Sequence, residues 1–179
     1  MASRLPRFLV LLLAAGVSGC ASLGFLPADA MATLKQPNHV DAFRTGDFID
    51  HPGYGGKLDG FAVFQTGHLP PPLSRQLADL IANPATYIDK TRAEEFAPSA
   101  GYRFYRRQNG GLVTLDVLVG FDSGQIMLVQ HDGKQREIFR RLLVFDPARE
   151  QILDITRQAF PDDDFIQTLP LIHPAGKME

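Results

Sequence analysis

The run Leu112 to Phe121, LVTLDVLVGF, narrows what this chain can become more than any other. Val113, Leu115, Val117, Val119 and Phe121 recur at every second position and line one face of an extended strand. Leu112 and Leu118 put apolar groups on the opposite face, so both sides want cover and the strand belongs in the middle of a sheet. Asp116 breaks the pattern. It is an acid inside the most apolar strand, on the face shared by Thr114 and Leu118. A buried acid must find donors or keep its proton. Arg103 and Arg140, on strands expected to lie nearby, are the candidates to supply donors, and the ordinary outcome is an ion pair or a solvent-facing acid.

Other strands gather around this one. Phe61 to Phe64 reads as a short strand closed by Gly67 and the prolines at 70–72, and Tyr102 to Tyr105 alternates after the Pro98/Gly101 break. Asp122-Ser123-Gly124 supplies a turn, Gln125 to Val129 returns, and Asp132-Gly133 reads as a type I′ hairpin turn. Glu137 to Val144 fits a strand better than a helix, although Ile138, Leu142 and Phe145 also keep a helical spacing. Two helices are expected. One is capped by Ser74, carries Leu77, Leu80 and Ile81 as its stripe, and stops at Asn83-Pro84. The other opens on Asp146-Pro147, buries Ile152, Ile155 and Ala159, and ends at Pro161. This order predicts an α+β domain: an antiparallel sheet of about four to five strands with helices packed on one face.

The N-terminus reads differently. Arg4 and Arg7 precede an uncharged run, Phe8 to Val17, of ten residues. That length suits a signal-peptide core and falls well short of the roughly 20 residues needed to span a bilayer. The run ends in Val17-Ser18-Gly19-Cys20, and Cys20 is the only cysteine of the chain. These residues resemble the lipobox of bacterial lipoproteins. The resemblance implies cleavage between Gly19 and Cys20, acylation of the new N-terminal cysteine, and a protein held in the cell envelope through several acyl chains, which anchor far more firmly than one. In a host with two membranes, Ala21 rather than Asp after the cysteine favours the periplasmic side of the outer one. The predicted organisation is a signal peptide at 1–19, a flexible lipid-anchored tether at 20–58, a single α+β domain at 59–165 and an irregular C-terminal tail at 166–179. Prolines at 27, 37 and 52 and the glycines at 53, 55 and 56 are what make the second segment read as tether.

A further resemblance spans residues 61 to 161. Glu95-Phe96-Ala97-Pro98, Tyr102-Arg103-Phe104, Asp116 to Phe121 and the ending Ala159-Phe160-Pro161 look like a family of small uncharacterised bacterial lipoproteins. Relatives often place cysteines where this chain has Glu95, Gly120 and Ser123. The resemblance implies one domain with a helix-covered sheet, and no activity.

Composition excludes more than it assigns. The full chain carries 18 Lys and Arg against 20 Asp and Glu; loss of Arg4 and Arg7 with the leader leaves 16 against 20, a charge of −4. A mildly acidic domain argues against nucleic acid as partner. With Cys20 acylated, disulfides, thiolate catalysis and cysteine metal sites drop out. His39, His51, His68, His131 and His173 are scattered without ligand spacing, so no metal or other cofactor is expected. No serine sits in a nucleophile elbow. Asp162-Asp163-Asp164 lacks the alternate spacing of a calcium loop and reads as a helix end. Arg103 and Arg140, with Arg106, Arg107, Arg136 and Arg141 around them, form a candidate binding patch for anionic lipid, cell-wall polymer or an acidic protein, set against ion pairs with Glu94, Glu95 and Glu137. The expected role is a non-enzymatic binding or accessory module of the envelope. The alternative is an exported hydrolase with a site assembled from dispersed residues such as Asp116 and His131.

Overall fold

The computed structural model describes residues 25–46 and 56–170. In chain order the elements are α1 (Ala28–Lys35), β1 (His39–Gly46), β2 (Lys57–Leu58), β3 (Phe61–His68), α2 (Pro71–Ala82), β4 (Ala100–Gln108), β5 (Gly111–Gly120), β6 (Gln125–His131), β7 (Glu137–Val144), α3 (Arg149–Ala159) and α4 (Asp164–Thr168). The α+β class and the antiparallel sheet are as expected; the strand count is not. Seven strands form one sheet in the order β2-β3-β1-β4-β5-β6-β7.

The two additional strands, β1 and β2, come from the segment expected to be tether. Residues 28–46 instead fold as a helix and a strand, with Ala30, Leu34, Val40 and Ala42 fully packed. Pro27 and Pro37 delimit these elements rather than loosen them: Pro27 precedes α1, and Pro37 lies in the break before β1. At the other end, α4 takes residues 166–168 from the expected tail. Asp163 caps it, accepting from the Ile166 amide at 2.9 Å, and buried Ile166 holds it down. Asp163 therefore behaves as a helix cap, and it also pairs with Arg44 at 3.4 Å.

β5 does what its alternation requires. Leu115, Val117 and Val119 face the main core with Tyr102 and Phe104 of β4 and Ile126 and Leu128 of β6. Leu34, Leu77, Ile81, Ile152 and Ile155 cover them from the helices. The Tyr102 hydroxyl donates to Thr156 at 2.6 Å, and the Thr156 hydroxyl donates to the Ile152 carbonyl, tying β4 to α3 inside an apolar layer. Glu137–Val144 is a strand, as its stronger reading had it.

Turn chemistry accounts for two corrections. Both central residues have positive φ at Asp59-Gly60 (48° and 96°) and at Asn109-Gly110 (50° and 77°), as a type I′ turn demands. These join β2 to β3 and β4 to β5. At Asp132 the hairpin is longer: its carboxylate accepts from the Lys134 and Arg136 amides, and the positive φ falls on Gln135. The helix starts also shift. α2 begins at Pro71 behind Pro70, with prolines filling positions whose N–H would be unpaired, and Ser74 donates back to the Pro71 carbonyl instead of capping. Asp146-Pro147-Ala148 is a single 3₁₀ turn ahead of α3, and the Asp146 carboxylate pairs with Arg92.

The sheet is curled. From β3 to β6 a flat sheet spans about 19 Å at a spacing of about 4.8 Å per strand. Yet Asp59, at the β2–β3 turn, lies 3.5 Å from His131 of β6 and 3.8 Å from Arg140 of β7. Inside the curl sits a second, smaller apolar cluster: Leu58, Leu118, Met127 and Val129, flanked by Phe43, Phe61, Val63 and Phe96. Leu58 lies directly over Gly101, where any Cβ would strike its side chain, so the hairpin's close approach requires a glycine there.

Candidate carboxylate–histidine site

Register lines up charge on the concave face. Asp41, Arg103, Asp116, Val129 and Arg140 stand opposite one another across β1, β4, β5, β6 and β7. The neighbouring row is His39, Tyr105, Thr114 and His131. Strand alternation sends both rows away from the helix-covered core.

Asp116 anchors the group. Its side chain has no exposed surface, and Arg103 reaches it with a two-pronged fork, Nε to Oδ1 and Nη2 to Oδ2, both at 2.6 Å. The hydrogen bond to Asp116 raises the Arg103 pKa further above its usual range. His131 lies between two acids: Nδ1 is 3.9 Å from Asp116 Oδ2, and Nε2 is 3.5 Å from Asp59 Oδ1. Asp59 closes the group from above, with a side chain only 5% exposed. Burial, then its contact with Asp116, pushes the Asp59 carboxyl up to about 7. Asp59, Asp116 and His131 each place one ligand-capable atom within 4.8 Å of the others. Asp59 Oδ2 and His131 Nδ1 are buried and make no hydrogen bond. Such buried orphans are uncommon in folded proteins.

The expected pair, Arg103 and Arg140, does share this face, but both arginines turn to acids within the fold. Arg103 is held by Asp116, and Arg140 donates to Glu137 at 2.7 Å. Arg106 bonds Thr33 and Gln108 and lies 3.7 Å from Asp29, Arg136 pairs with Asp132, and Arg141 donates to the Phe25 carbonyl. Gly19 and Cys20, the expected cleavage and anchor positions, lie outside the described residues. Gly120 and Ser123 lie close together: a Cβ on Gly120 would sit 2.7 Å from Ser123 Oγ.

Asp59 escaped sequence reasoning because it falls at the boundary between the supposed tether and the domain, ahead of the first expected strand. A signal was there. Lys57-Leu58, Asp59-Gly60 and Phe61 to Phe64 form a strand, a type I′ turn dipeptide and a strand. The ordering of Asp59, Asp116 and His131 was hidden for another reason: it depends on register and curl, which no local pattern encodes.

Clefts open elsewhere on the described residues. One of about 460 Å³ lies between the Asn109-Gly110 turn and the Asp132–Lys134 loop; another, about 250 Å³, is lined by His39, His68, Ser74 and Arg75. Neither these nor the cleft beside Phe43 and Phe64 contains Asp59, Asp116 or His131. No family model, curated protein or solved structure matches this chain.

Proposed function

We propose that this chain is a lipid-anchored bacterial envelope lipoprotein, held through Cys20, whose folded domain is a non-enzymatic binding module. The leader from Arg4 to Cys20 supports the anchor. The binding role rests on the outer edge of β7. Among the described residues it pairs only at the isolated Ile88–Val144 bridge, leaving most of an eight-residue strand free. Ile138 and Leu142 are 53% and 46% exposed on it. An open edge is a template for an added strand, whose backbone hydrogen bonds give affinity and whose side-chain contacts give selectivity. Glu137, Arg140 and Arg141 on the same strand discourage indiscriminate edge pairing, so the edge suits a chosen partner. The partner class is an envelope protein offering an extended segment.

The exported-hydrolase reading gains one observation, the approach of His131 to Asp116. It is the weaker reading on access. A general base has to come within about 3 Å of the proton it takes, directly or through one water, and Asp116 is wholly covered.

A photo-crosslinking residue at position 138, irradiated in living cells, tests the binding role. The expected result is a discrete adduct with an envelope protein that is lost on Leu142→Glu and absent when the probe sits at Arg75. Recovery of free protein alone from position 138 would overturn it.

A further inference from the structure

We propose that Asp59, Asp116 and His131 form a divalent-cation site, best matched to Zn²⁺, that ties the β2–β3 hairpin across the curled sheet to β5 and β6. Two observations carry this. The three ligand-capable atoms lie within 4.8 Å of one another, from three separate strands or turns. Independently, Asp59 Oδ2 and His131 Nδ1 are buried without a partner, and the Asp59 side chain is 95% enclosed and turned toward the group. A carboxylate oxygen and an imidazole nitrogen left bare within one cluster are the kinds of acceptor a metal takes.

Arg103 engages both Asp116 oxygens, but each carboxylate oxygen keeps a second lone pair. Arg140 stands 3.8 Å from Asp59 Oδ1 and is turned to Glu137, leaving Oδ2 bare. Once Asp59 is ionised, Asp59, Asp116 and Glu137 against Arg103 and Arg140 leave these side chains one net negative charge, so the group is a poor place for a further anion and a fair one for a cation. Donor chemistry narrows the ion. One imidazole nitrogen and two carboxylate oxygens, with no thiolate, suit zinc with three protein ligands and a fourth open position. Bonds of about 2.0–2.2 Å in a tetrahedron separate ligand atoms by roughly 3.3 Å, so donors now within 4.8 Å of one another must draw together by up to about 1.5 Å. Asp59 rides on a two-residue turn with exposed Gly60 beside it, and that turn can supply the movement. The role is structural. Cys20 is the one cysteine, so no disulfide within the chain can hold the hairpin down, and a metal that spans it does the same work.

The test uses the full chain, stripped with chelator and titrated with ZnCl₂ at pH 7.5 by calorimetry and thermal melting, with MgCl₂ as the comparison. One equivalent of Zn²⁺ is expected to bind and raise the melting temperature, with Mg²⁺ doing neither. Asp59→Asn and His131→Gln are each expected to weaken binding by more than the roughly 10–100-fold typical of losing an outer-shell group. Asp116 is spared substitution because its loss strands Arg103. Co²⁺ at the site is expected to give a tetrahedral visible spectrum that both variants abolish. No saturable uptake by the folded chain would overturn the proposal. So would stoichiometric binding that survives both variants but disappears in His39→Gln or His68→Gln, since the metal would then sit beside Asp41.

Discussion

Asp59 shows how much one turn residue can carry. Its backbone sits at φ 48°, a conformation that aspartate tolerates better than most residues, and this aims a carboxylate into the curl where Asp116 is already buried. Burial and the second carboxylate hold its proton to about pH 7, whereas the unfolded chain releases it near 4. The folded state therefore binds the extra proton between these values. Its stabilising effect is fully present below pH 4 and lost as pH rises through 7. With divalent cations chelated, urea unfolding should show wild-type stability falling across that window relative to Asp59→Asn. Parallel curves for the two proteins would contradict the assignment. Asp116 was legible as the anomalous residue of its strand, and Arg103 as one of its two candidate partners. Choosing between Arg103 and Arg140 needed the register, since Arg103 stands directly across from Asp116 while Arg140 stands across from Val129.

At the scale of elements, local pattern served well where burial was one-sided and strong. β5, β6 and β7 lie where period and breakers put them, and so do α2 and α3 apart from their first turns. It failed for α1 and β1. Their apolar content is thin, with small Ala30 and Ala42 filling core positions that larger residues usually advertise, so sheet pairing rather than sequence period defines them. Turns failed more instructively. Asp132-Gly133 has the favoured composition, yet Asp132 turns its side chain back onto two amides and lengthens the loop, while Asp59-Gly60 and Asn109-Gly110 make the tight turns. Gly60 has open space around its Cα and φ 96°, so replacing it isolates conformation from packing. Gly60→Ala should cost roughly 1–2 kcal/mol, the penalty of a side chain in left-handed backbone. Amide exchange should localise the loss to β2 and β3. An unchanged denaturation midpoint would mean the turn is not held as described.

The whole molecule joins a helix-backed, curled sheet to a leader that resembles a lipoprotein address. Among the described residues the sheet buries its polar centre and leaves most of the β7 edge unpaired, and in the proposed reading the leader is what sets where that edge is displayed. Among the described residues no helix is long and apolar enough to cross a membrane. The proposed attachment is through Cys20. The mass of the protein recovered from the host's membrane fraction tests this most directly. The expected result is a chain beginning at Cys20, 160 residues long, with the added mass of acyl chains on that residue. A chain still beginning at Met1, or an unmodified Cys20 in the soluble fraction, would contradict it.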